Sequence, residues 1–399
     1  MRYWDAVLSF VVAAAVSAAL TPLAARLARR VGAVDTPRER GLAERATPLL
    51  GGLAILVAAL VAAAIWLPAT IKLGHVKHGV AGSSGTVHMW VVMAGAALIT
   101  LVGAIDDARD LRPAVKLLGQ IAAAVMAVEG GAVVTDVAVP FVGSLQFPNE
   151  GGVLTVIWLV GLMNVVNFSD GIDGLAAGIC TIDGIAFAII AFSLGVHGAA
   201  ILAALTAGAA LGFLFHNFYP ASVFMGDAGA NLLGYLLAVV AVVGSLKTNA
   251  LVALVAPLMI LVIPFLDTGF VVAKRLKYRR KPWSADANHF HHRMSRIGFS
   301  QRKTVAYLYL WSLLMAGLAV ALRLITHYER SEPGWIALLI ALGVLCVAAS
   351  VYLVYVLEIF KFRRLRAIEL RRAHPRATAD EIEESVAKDV ETGEFERVS

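Results

Sequence analysis

The chain has 399 residues, 59% of them hydrophobic and 16% charged, with a mean hydropathy of +0.77 and a net charge of +6. A soluble globular domain is about 45–50% apolar and about 25% charged, so the composition excludes a soluble fold and describes an integral membrane protein. The positive balance is read as serving anionic ligands and the lipid surface, with no nucleic acid implied. Cys180 and Cys346 lie inside apolar runs and read as small core residues, with no disulfide or thiolate metal site.

An apolar run of about 20 residues can span a bilayer. Eleven are read in chain order, at 6–25, 49–67, 89–105, 115–129, 153–169, 175–194, 197–216, 229–245, 249–271, 304–324 and 335–360. The predicted fold class is all-α integral membrane, a bundle of about eleven transmembrane helices in which the fourth run is the shortest. Residues 1–20 resemble a signal peptide, but the Arg-rich stop behind them and ten further runs favour an uncleaved first helix. Loops 68–88 and 130–152 are Gly-rich and poor in chemistry, with a short hairpin expected around 140–148. A membrane core over 1–325 carries a long polar loop at 274–303. The last transmembrane helix falls in 326–360 and a charged tail in 361–399. The tail starts basic at Lys361, Arg363, Arg364 and Arg366, ends acidic, and is expected to prolong the last helix.

Orientation follows from the basic residues. If the first loop (26–48) is cytoplasmic, 28 of the 34 Lys and Arg fall on that side and 6 on the other. This is a positive-inside split, with the N-terminus outside and the C-terminus cytoplasmic.

That topology puts every chemically loaded segment at the cytoplasmic face. Adjacent Asp106 and Asp107 end the third run, and like charges so close need a cation or a raised pKa. Asp110 reads as a solvated helix end. Asn164 to Asp173 end the fifth run with two amides at i, i+3 and two carboxylates, a costly set unless a site uses it. A tie between helices is the plainer alternative for the amide pair. Asp227, in the run Phe224-Met-Gly-Asp-Ala-Gly229, opens the eighth span. Flanking glycines allow close approach there, and a helix N-terminus favours an anion, although an N-cap is the plainer alternative. Carboxylates with substrate phosphates and retained waters suit Mg²⁺. The loop run Asp286 to Arg293 holds His289, His291 and His292. It lacks the spacing of a zinc site, and Lys274, Arg275, Lys277, Arg279, Arg280 and Lys281 around it favour an anionic ligand.

Five motifs occur in the order seen in the polyprenyl-phosphate N-acetylhexosamine-1-phosphate transferases (glycosyltransferase family 4). They are Thr47-Pro-Leu-Leu-Gly-Gly52, Asp106-Asp107, Asn164 to Gly174, Phe224-Met-Gly-Asp227 and His289-Phe-His-His292. The chain resembles this family over residues 1–325, and its His-x-His-His loop is similar to the WecA-type N-acetylglucosamine-1-phosphate branch. Asp110 stands where the muramyl-pentapeptide branch carries a lysine. The resemblance implies UDP-N-acetylglucosamine and a polyprenyl phosphate as substrates, Mg²⁺ (or Mn²⁺) as cofactor, an inner-membrane site facing the cytoplasm, and room for a homodimer.

Carried over residue by residue, the resemblance implies Asp227 and Asp107 as metal ligands, and Asp106, Asp107, Asn167 and Asp170 as catalytic residues. It implies nucleotide contacts from Asp173, Asn217 and Phe224, and sugar or phosphate contacts from His289, His291, His292 and Arg293. Thr47 and Lys116 would approach the lipid phosphate. Another UDP-sugar (a muramyl-pentapeptide or N-acetylgalactosamine) is the alternative within the family. A secondary transporter would place ionisable groups at mid-membrane and show repeated halves, whereas these groups sit at helix ends.

Overall fold

A helix that is apolar on every side is stable in two places, inside a protein core or against lipid. A computed structural model describes residues 3–36, 46–72, 85–139, 143–147, 149–245, 300–327, 333–356, 370–371 and 378–392. Among these residues the chain forms eleven helices. They are α1 (Tyr3–Val31), α2 (Gly51–Trp66), α3 (Met89–Arg109), α4 (Pro113–Glu129), α5 (Gly151–Ser169), α6 (Leu175–Ser193), α7 (His197–Asn217), α8 (Gly226–Ser245), α9 (Gln301–His327), α10 (Pro333–Val356) and α11 (Ala379–Thr392). The first ten match the first eight and last two predicted runs. The ninth run lies outside the described residues, as does the 274–303 loop up to residue 299.

Seven of the helices, α1, α3, α5, α6, α7, α8 and α9, are long and apolar enough to cross a membrane. α4 forms as expected but has 17 residues, about 25 Å at 1.5 Å per residue, and falls short of that group.

α7 and α8 form the centre. The apolar window of α8 is 89% buried, against 22% for α1 at the periphery. α8 packs on α3 and α5, α7 on α1 and α6, and α6 on α9, which in turn carries α10. Small residues allow this close approach: a Cβ on Gly208 or Gly212 of α7 would strike the Phe10 or Ala14 carbonyl of α1. The outer helices turn Val11, Ile157, Leu313, Val344 and Val351 outward. Such broad apolar exposure suits lipid and would be an aggregation surface in water.

Three short antiparallel pairs modify the all-helical expectation. β1 (Val34–Asp35) pairs with β2 (Thr47–Pro48), β3 (Thr70–Lys72) with β4 (Thr86–His88), and β5 (Asp136–Val139) with β6 (Gly143–Gln146). The last is the expected hairpin, beginning a few residues early. The other two were not foreseen, because strands of two or three residues are too short to carry an alternating pattern. The stretch in which the last helix was expected to continue lies almost wholly outside the described residues, and further along the tail a helix begins at Ala379. The Thr378 N–H donates to the Glu381 carboxylate and the Glu381 N–H to the Thr378 hydroxyl, a reciprocal box that opens a new helix. Leu370, Ile382 and Val386 pack together beside it.

Candidate active site

Antiparallel packing brings the C-terminal ends of α3, α5 and α7 and the N-terminal ends of α4, α6 and α8 to one end of the bundle. A cavity of about 260 Å³ opens there, lined by Asp35, Leu49, Asp107, Asn167, Asp170, Gly171, Ile172, Asp173, Asn217, Phe224, Gly226 and Asp227. Among the described residues its wall thus holds five aspartates and no basic side chain.

Asp227 is the second residue of α8, inside the helix and not at its cap. One carboxylate oxygen pairs with the Lys116 ammonium, and the other accepts from the Asn167 amide at 2.5 Å. Lys116 also reaches Asp106 at 3.2 Å, while the second Asp106 oxygen accepts the Leu111 N–H at 2.7 Å. One ammonium thereby ties α3, α4 and α8 together.

Asp107 takes the capping role that the sequence had offered to Asp227. Its two oxygens accept the N–H groups of Asp227 (2.7 Å) and Ala228 (3.2 Å). A negative charge from α3 thus closes the positive end of α8. Gly226 makes this possible. Its φ of +66° lies in the left-handed region, and a Cβ there would run into the Asp107 carboxylate.

The wall opposite is a pair of turns. Asp173 accepts the Ala221 N–H at 2.8 Å. Asn217, 2% exposed, accepts the Gly174 N–H and donates to the Val223 carbonyl, both at 3.0 Å. Its amide is therefore a bracket between the 170–174 and 218–225 turns. The start of α2 is stitched to the second turn through Gly51 N–H to Phe224 O (3.1 Å), Gly52 N–H to Met225 O (3.0 Å) and Phe224 N–H to Pro48 O (2.9 Å).

The structure therefore gathers Asp107, Asn167, Asp170, Asp173, Asn217, Phe224 and Asp227 around one cavity, with Asp106 and Lys116 joined to it by ion pairing. Thr47 is buried in β2 and does not line the cavity. Asp110, exposed and left-handed at the α3 C-cap, donates its N–H to the Asp106 carbonyl and ends the helix. His289, His291, His292 and Arg293 lie outside the described residues.

Sequence reasoning missed Asp35, Gln120 and Asn231. Asp35 lines the cavity because β1 pairs with β2, which sets Asp35 opposite Thr47; no local pattern announces it. Gln120 and Asn231 did leave a signal, as amides inside apolar runs four residues after Lys116 and Asp227. Asn164 proves to be the helix tie, bonded to Gln120 and to the Val160 carbonyl.

The profile described as "Glycosyl transferase family 4" matches residues 89–245, α3 through α8. A Bacillus subtilis (strain 168) protein named "Probable undecaprenyl-phosphate N-acetylglucosaminyl 1-phosphate transferase" is 33% identical over 340 residues, 84% of this chain and 87% of the relative. A Mycolicibacterium smegmatis "Decaprenyl-phosphate N-acetylglucosaminephosphotransferase" is 37% identical over 314 residues, covering 73% of this chain and 75% of the relative. A "Phospho-N-acetylmuramoyl-pentapeptide-transferase" from Desulforamulus reducens is 33% identical over 328 residues, 75% of this chain and 90% of the relative. A multi-helix membrane bundle with an acidic cavity at one end is thus matched in sequence by membrane-lipid phosphosugar transferases. The chain belongs to glycosyl transferase family 4.

Proposed function

We propose that the protein transfers N-acetylglucosamine-1-phosphate from UDP-N-acetylglucosamine to a membrane polyprenyl phosphate, undecaprenyl or decaprenyl, releasing UMP. The observation that carries this reading is the cavity lined by Asp227, whose carboxylate pairs with Lys116 behind the wall and accepts from Asn167, while Asp107 closes the α8 N-terminus. The names of the Bacillus and Mycolicibacterium relatives support the choice of sugar. They include the match spanning most of the chain and the one of highest identity among the three compared.

In the proposed reaction an oxygen of the lipid phosphate forms a bond to the β-phosphorus of the nucleotide sugar. The bond from that phosphorus to the bridging oxygen breaks, and UMP leaves with that oxygen and its electron pair. Such a transfer asks the protein for positioning and charge stabilisation. Lys116 offers a cation beside Asp106 and Asp227. The bracketed turns hold Asp173 and Phe224 at the wall where a nucleotide would lie, and Asp170 and Asn167 face the diphosphate.

A diphosphate beside five carboxylates needs further positive charge, since two unit charges 4 Å apart at a protein surface repel by about 4 kcal/mol. Among the described residues no three His, Cys, Asp or Glu side chains make a self-sufficient metal cage. Mg²⁺ does not require one, being held by one or two carboxylates with substrate phosphates and waters. The donors fit that mode, and Asp227 and Asp107 are the residues proposed to hold it. When bound, the ion would neutralise charge on the phosphates. The 274–303 loop, with its histidines and six clustered basic residues, is proposed to meet the sugar phosphate. We place the site on the cytoplasmic face of the plasma membrane, with the N-terminus outside, on the positive-inside split.

The test is release of UMP, with a labelled polyprenyl-diphosphate sugar as product, by membranes holding the full chain. UDP-N-acetylglucosamine, UDP-N-acetylgalactosamine and UDP-N-acetylmuramoyl-pentapeptide are compared as donors. Asp227→Asn is expected to lower the rate about a hundredfold to a thousandfold, the scale of losing one transition-state electrostatic contact. Turnover of the muramoyl-pentapeptide donor alone, or an unimpaired Asp227→Asn variant, would refute the assignment.

A further inference from the structure

One helical turn beneath the charged contacts lies a second, neutral set at matching positions. Gln120 follows Lys116 by four residues on α4, Asn231 follows Asp227 by four on α8, and Asn164 precedes Asn167 by three on α5. Gln120 and Asn231 are 1% and 0% exposed. Asn164 donates to the Gln120 side-chain oxygen at 2.9 Å, and Gln120 donates to the Asn231 side-chain oxygen at 2.8 Å. Asn231 in turn donates to the Asp227 backbone carbonyl at 2.7 Å. The hydrogen bonds run in one direction across three helices and end on the main chain of Asp227.

Such a chain specifies geometry more sharply than apolar packing. Small apolar side chains tolerate a slide or rotation of one helix on the next, whereas each buried amide left without its partner costs about 1–3 kcal/mol. α4 has the most need of this. It packs mainly on α3 and α5 and only lightly on α8, yet its Lys116 must meet Asp227 on α8. None of the three amides lines the cavity, so none is placed to touch substrate.

We propose that Gln120, Asn231 and Asn164 are positioning residues for the transfer reaction, fixing the registers of α4, α5 and α8 so that Lys116, Asp227 and Asn167 meet. The proposal rests on the function proposed above. It predicts a loss in kcat with little change in KM, because the contacts at stake act on the reacting phosphates and not on the nucleotide.

The experiment uses the full chain in membranes, comparing Gln120→Asn, Asn231→Gln, Gln120→Leu and the double variant Gln120→Asn/Asn231→Gln, which keeps the combined side-chain length across the pair. For each, kcat, the KM for UDP-N-acetylglucosamine and the thermal midpoint are measured. Each single change is expected to lower kcat about tenfold or more, as a displacement of the reacting groups by under an ångström would, with KM within about twofold. The double variant is expected to recover most of the loss. Singles with wild-type kcat would overturn the proposal. So would a double variant as impaired as the singles, or one that fails to accumulate, since the amides would then serve stability alone. The wild-type arm separates the two ideas. If wild type turns over only the muramoyl-pentapeptide donor, the choice of sugar fails, and the role of the three amides is judged by the same ratios with that donor.

Discussion

Asp170 sits half-buried at the end of α5, and burial together with the Asp107 and Asp173 carboxylates pushes its pKa from 3.8 up to about 7. The raised value fixes the sign of a pH effect. Below pH 3.8 the carboxyl is protonated both folded and unfolded, and its contribution to stability is fully present. As pH rises towards 7 the unfolded chain releases a proton that the folded chain retains, so stability falls, and the loss is complete above 7. Asp170→Asn should therefore melt higher than wild type at pH 8 and converge with it near pH 4, read by thermal unfolding of detergent-purified protein. Added Mg²⁺ should raise the wild-type midpoint more at pH 8 than at pH 5. A variant offset that does not change with pH would contradict the assignment. At this scale the sequence was informative where a charge ends or opens an apolar run, as at Asp107, Asp170, Asp173 and Asp227, because burying charge is costly enough to need a reason. Asp35 gave no such sign. It lies in a polar loop, and only pairing with a strand twelve residues on carries it to the cavity.

At the scale of elements, α9 shows how a helix distant in sequence shapes the site. The Tyr309 hydroxyl donates to the Gly174 carbonyl, and Ile172 of the same turn packs in a cluster with Val305, Leu308 and Trp311. Gly178 leaves the space the Tyr309 ring fills. At the far end of the same pair of helices, Arg323 donates to the Ser193 hydroxyl and carbonyl at 2.9 and 3.0 Å. Tyr309→Phe keeps the ring and removes one hydrogen bond, so it should cost about 1 kcal/mol of stability. It should also raise the KM for UDP-N-acetylglucosamine, because the turn it holds carries Asp173. Thermal melting and steady-state kinetics check both, and an unchanged KM would confine α9 to a packing role. The existence of α9 was plain from its apolar length. Its grip on the 170–174 turn was not, since a tyrosine in an apolar run is more often plain core.

From α1 to α8 the chain alternates direction from helix to helix, so the segments with aspartates, amides and lysine all fall at one end. Orientation can be tested with exposed single positions at the two ends. Arg112 lies at the site end, before α4, and Glu150 at the other, before α5. Both native cysteines are buried, so they should add little background. On intact cells a membrane-impermeant maleimide should label Glu150→Cys and leave Arg112→Cys unlabelled until the cells are opened; the opposite pattern would invert the proposed topology. The sequence by itself determined the membrane setting, the ten apolar helices described and the concentration of polar residues at their ends. These are matters of local hydropathy and charge, written residue by residue. Tertiary structure alone decided that Asp107 caps α8, that Lys116 bridges Asp106 and Asp227, and that Gln120 meets Asn231. Each depends on the rotation and depth of one helix against another, a long-range fit that short sequence periods do not encode.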